Sequence, residues 1–102
     1  MSKPRYGWWG YAKWMIRQFP ARENRYVQGS ALKERIAVQE AIDQTMGMED
    51  GQARMQVIDM VFFKQTHTLE GAAKMIPCSD RTARRWHADF IKLVARKYGL
   101  LD

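Results

Sequence analysis

The chain has 102 residues, 46% of them hydrophobic, which is enough for one domain, or for one small domain with a helical extension. A formal charge of +6 and a pI near 9.8 point to an anionic partner, and the single cysteine, Cys78, excludes an internal disulfide and fits a reducing cytosol. No apolar run is longer than MVFF, so no membrane span is expected, and nothing near Met1 has the apolar core of a signal peptide.

Charge is unevenly placed. Residues 1–25 carry six Lys or Arg against one Glu, and residues 81–97 carry six against one Asp. Between them, residues 26–80 hold five basic and eight acidic side chains, so both ends are basic and the middle is not.

After the basic segment Met1 to Tyr6, the stretch WWGYAKWMIRQF (Trp8 to Phe19) has helical spacing. Trp8, Tyr11, Ala12, Met15, Ile16 and Phe19 share one arc, extended by Trp9. Lys13 and Arg17 lie away from it, and Trp14 falls outside it. Gly7 and Gly10 weaken the start of this helix, and Pro20 is expected to end it. Aromatics beside basic residues can stack on bases, but such a stripe more often packs against other helices or a partner subunit, and packing is the reading adopted here.

Ala21 to Gln28 is polar and is read as a turn or loop. Ser30 is then expected to cap a helix from Ala31 to about Met46, with Leu32, Ile36, Val38, Ile42 and Met46 as its apolar residues. Paired with the first helix it would make a hairpin, within one chain or between subunits. Gly47 closes it, and MGMEDG is the best linker, dividing the chain into residues 1–50 and 51–102. Gln52 to Gln65 is apolar on nearly every side (Met55, Val57, Ile58, Met60, Val61, Phe62, Phe63), as expected of a helix buried on more than one face.

The most informative stretch is Thr68 to Ile91, TLEGAAKMIPCSDRTARRWHADFI. Thr68 can cap a helix from Leu69 to about Met75, Pro77 cannot continue that helix, and Ser79 offers a second cap with Asp80 in the favourable first turn. Ala72 and Ala73 are small, as two closely crossing helices require. The second helix, roughly Asp80 to Tyr98, sorts its residues at 100° per position. Ala83, Trp86, Phe90, Leu93 and Val94 form an apolar seam, while Arg81, Arg84, Arg85, Ala88, Lys92 and Arg96 form a basic face. This is the layout of a helix-turn-helix, whose second helix enters a DNA groove. Arginine suits that face because its planar fork matches a guanine edge or a phosphate. Gly99 is expected to cap the helix, leaving Leu100 to Asp102 as a short tail.

No catalytic constellation can be assembled. His67, His87 and Cys78 match no zinc spacing, the carboxylates are scattered, and no Gly-rich phosphate loop is present, so neither an enzyme nor a cofactor is expected. His87 lies between the apolar seam and Arg84, where it either edges the core or reaches a phosphate or base. Cys78 is read as a small buried thiol.

The segments YGWWGYAKWMIRQFP and RMQVIDMVFFKQTHTLEGAAKMIPCSDRTARRWHADFIKLVARKYGL, around an acidic middle, resemble the small phage- and prophage-encoded regulators of the RinA/ArpU type. The resemblance covers most of the chain, and THTLEGAA and RTARRWHADFI are its most specific parts. It implies a C-terminal half like region 4 of sigma factors, a recognition helix starting at Ser79, and Asp80, Arg81, Thr82, Arg84 and Arg85 as base- and phosphate-facing residues. It further implies activation of late phage genes. Pro77 departs from the usual pattern of that turn.

The expected architecture is all-α, an N-terminal helical region followed by a C-terminal three-helix helix-turn-helix unit. The expected function is sequence-specific binding of double-stranded DNA in the cytoplasm of a bacterial host, by Thr68, Ser79, Asp80, Arg81, Thr82, Arg84, Arg85, Ala88 and Lys92. A homodimer, or help from host RNA polymerase, is expected. The rivals are a ring-forming, small-terminase-like packaging subunit and a protein-docking module that acts on the polymerase.

Overall fold

The computed structural model describes residues 7–22, 26–76 and 78–101. They form five α-helices: α1 (Gly7–Arg22), α2 (Ser30–Met46), α3 (Gly51–Ile58), α4 (Leu69–Met75) and α5 (Asp80–Tyr98). A π-helical turn, Asp59–Phe63, continues α3. Among the described residues there is no strand, so the protein is all-α, and no helix is long and apolar enough to cross a membrane.

The helices pack around α5, whose buried seam has the spacing read from the sequence. Ala83, Trp86, Phe90, Leu93 and Val94 are all buried, joined by Ile91 and Ala95. Two hydrophobic clusters share this helix. The larger takes Met15, Ile16 and Phe19 from α1, Val38 and Ala41 from α2, Ile58 and Phe62 from α3 and its π turn, and the second half of α5. It therefore draws on both sides of residue 50. The smaller consists of Val57, Ala72 and Trp86, one from each of α3, α4 and α5, walled by Leu69, Ile76 and Cys78. Burying one large apolar side chain contributes about 1.5–3 kcal/mol, so the larger cluster dominates stability.

Several expectations need correction. Pro20 does not end the first helix, which runs on to Arg22. The proline removes one backbone donor, but buried Phe19 and the ion pair of Arg22 with Glu34 hold the last turn in place. Ser30 is the first residue of α2, not its cap. Gly29 occupies the cap position at φ 68, and no side chain caps that end. The buried face of α2 matches the predicted one only in part: Val38 is buried and Ile42 packs against the larger cluster, but the face is turned toward the alanines. Glu34, Ala37, Val38, Ala41 and Thr45 face inward, whereas Ile36 and Met46 are exposed. Alanines let α2 approach its neighbours closely, and that closeness outweighs the larger apolar surface of Ile36.

The buried Glu34 is tolerated because it is fully occupied. It accepts from the Tyr11 hydroxyl of α1 and pairs with Arg22. Tyr11 in turn lies 3.2 Å from the Tyr98 hydroxyl, so one polar chain ties α1, α2 and the end of α5 together. Partial burial, then the bonds to Glu34 and Tyr98, push the Tyr11 pKa up.

Between α2 and α3 the chain turns sharply, with Asp50 in the left-handed region at φ 57. Gly51 follows because a Cβ there would stand 2.5 Å from the carbonyl oxygens of Thr45 and Met46. The Leu100–Leu101 tail is not loose either. Gly99 adopts φ 98, and the Leu100 N–H reaches back 2.8 Å to the Ala95 carbonyl, which turns both leucines onto the larger cluster.

Candidate nucleic-acid interface

The ends of α4 and α5 are set by the residues that the sequence singles out. Thr68 Oγ1 accepts from the Gly71 N–H at 3.0 Å, and Ser79 Oγ accepts from the Thr82 N–H at 3.0 Å. Each cap satisfies a donor that the first helical turn leaves without a partner. The Ser79 hydroxyl also bonds Thr82 Oγ1 at 2.9 Å, so Ser79 and Thr82 hold each other. Asp80 adds its charge to the first turn of α5. α4 ends at Met75 and α5 begins at Asp80. Pro77 and its effect on the helix angle lie outside the described residues, as do Met1 to Tyr6.

The basic face of α5 is open at its beginning. Arg81, Arg84 and Arg85 are exposed, while Ala88 and Lys92 are half-buried. Of these three arginines, Arg84 alone has a carboxylate within ion-pair distance among the described residues, Glu70 of α4 at 3.9 Å, and both partners stand mostly in solvent. Such a pair is worth little and opens easily. Among the described residues, no carboxylate lies within ion-pair distance of Arg81 or Arg85. Two arginine forks are thus presented without compensation in the first two turns of a helix whose opposite side is anchored by Trp86. Arg54 secures that anchor: its guanidinium lies 5.7 Å from the Trp86 ring and 3.6 Å from Asp89.

His87 is an edge-of-core residue. Its ring stacks on Phe62 at 5.0 Å with an interplanar angle of 6°. Burial, reinforced by the positive charges of Lys13 and Arg17, lowers its pKa to about 4, so the imidazole is neutral at pH 7. Cys78 is half-buried, and burial, with Asp80 second, raises its thiol pKa, so it stays protonated and unreactive. Among the described residues no group of three His, Cys, Asp or Glu could hold a metal ion.

Two cations absent from the sequence-based set lie close to this surface. Lys13 and Arg17 of α1 both act on His87, and the Arg17 guanidinium sits 5.8 Å from the Phe62 ring on which His87 stacks. Their four-residue spacing puts them on one side of α1, away from its apolar arc. That spacing was visible in the sequence. The neighbour they would meet was not.

No family model matches the chain, and no curated protein or solved structure shows significant similarity to it.

Proposed function

We propose that the protein is a sequence-specific DNA-binding regulator, in which α3, α4 and α5 form a helix-turn-helix unit and the first half of α5 reads the major groove. The observation that carries this reading is the pair of uncompensated arginines, Arg81 and Arg85, in the first two turns of α5, with Arg84 held only by a solvent-exposed partner. A recognition helix contacts base edges through its N-terminal residues, and an arginine fork on guanine is the commonest specific contact. The site residues then divide by role. Arg81, Arg84 and Arg85 make the contacts to bases and phosphates, and half-buried Lys92 reaches a phosphate. Ala88 leaves room for the backbone. Thr68 and Ser79 act mainly as caps that fix the two helices, their hydroxyl oxygens already accepting backbone N–H groups.

The resemblance to RinA/ArpU-type regulators supports late phage genes as the target. One reading helix per chain covers few base pairs, so a second copy of the chain, or host RNA polymerase, supplies the rest of the footprint. The test is selection from a random pool of duplexes at physiological salt. Recovery of one defined motif is the expected result. Binding without enrichment would contradict sequence reading and favour a packaging role, and no binding even at low salt would leave docking on a protein.

A further inference from the structure

We propose that Lys13 and Arg17 of α1 form a second row of phosphate-binding cations beside the arginines of α5, so that two helices grip one duplex. The proposal rests on the DNA-binding reading above and adds a second part of the chain to the interface.

The placement follows from how α1 lies on α5. Tyr11, near the start of α1, sits 3.2 Å from the hydroxyl of Tyr98 at the end of α5, their rings edge to face at 5.6 Å. Six residues further on, Arg17 reaches Phe62, the ring that stacks on His87. The two helices therefore run in opposite directions, and the second half of α1 lies toward the first half of α5. Around α5, at 100° per residue, Arg84, Ala88 and Lys92 follow His87 by about 60°, 100° and 140°. The basic arc thus opens at the edge that Lys13 and Arg17 flank. Ile91 and Ala95, on the same flank one and two turns further along, are fully buried. The cover ends where the arginines begin.

Charge supports the same assignment. Among the described residues, neither Lys13 nor Arg17 has a carboxylate within ion-pair distance. Both stand near a histidine that is kept neutral, beside further cations of α5. Grouped positive charges without compensation oppose folding and are relieved by a polyanion. A helix next to the reading helix meets the sugar-phosphate backbone, not the base edges, so its cations add affinity without sequence information.

The test is a salt titration of the full chain and of the double variant Lys13→Gln, Arg17→Gln on the best duplex and on a scrambled one. Loss of two phosphate contacts lowers the log–log salt slope by about 2. The expected result is that decrease, with affinity reduced roughly tenfold or more on both duplexes and their ranking unchanged. Arg17→Lys, which keeps the charge, should retain the parent slope. If the double variant does not fold, Lys13→Gln alone should lower the slope by about 1. A variant that binds with the parent slope overturns the proposal while leaving the DNA reading intact, and so does a loss confined to the best duplex. Failure of the parent chain to bind any duplex at low salt overturns both.

Discussion

The two halves of α5 are one helix used in two ways. From Phe90 to Ala95 the helix is covered on several sides, with Ile91, Val94 and Ala95 fully buried against the other helices. From Asp80 to Ala88 only Ala83 and Trp86 are buried, and Arg81, Arg84 and Arg85 stand in solvent. Continuity of the backbone lets the first half be rigid without being covered. A side chain that must meet a partner needs an open surface and a fixed position, and the fixed position is supplied by the buried turns that follow it.

The largest effect that separates the halves is on stability. Ile91→Ala, in the covered half, should cost about 2–5 kcal/mol in urea unfolding, whereas Arg85→Ala should stay within about 0.5 kcal/mol of the parent. Equal costs would mean that the division between the halves is wrong. His87, at the boundary, gives the next largest signal. In the unfolded chain its imidazole takes up a proton near the ordinary pKa of 6.5, but in the folded chain only near 4. Stability from this group is therefore intact above about pH 7 and is lost as pH falls from 6.5 toward 4, by about 2 kcal/mol at pH 5. Unfolding midpoints of the parent chain and His87→Gln between pH 7 and pH 5 check this, and the variant should lose less. The smallest effect lies at the open end. Ser79→Ala removes the cap on Thr82 and should cost about 1 kcal/mol, with faster amide exchange confined to the first turn of α5.

Which parts of this arrangement could be read from residues alone follows from how local their causes are. The ends of α4 and α5 were legible because Thr68, Ser79 and Gly99 act on backbone groups within a few residues of themselves. The apolar seam of α5 was legible because its side chains are large and its charges gather on the other side. In α2 the causes are distant. Glu34 is buried because Tyr11, 23 residues earlier, and Arg22 reach it, and Ile36 is left exposed because the alanine face fits its neighbours more closely. Nor does any local pattern dictate the π turn at Asp59–Phe63, which places Phe62 under His87. Of the candidate interface, the arginines of α5 could be found from spacing. Lys13 and Arg17 could not, since their nearness to His87 exists only once α1 lies antiparallel to α5.

The most direct test of the account is the affinity of the double variant Arg81→Ala, Arg85→Ala for the duplex that the parent chain selects, measured beside its unfolding midpoint. Two lost contacts worth about tenfold each should weaken binding on the order of a hundredfold while the midpoint stays that of the parent. Parent-like affinity in a fully folded variant would contradict the account, because the open half of α5 would then not be the surface that meets DNA.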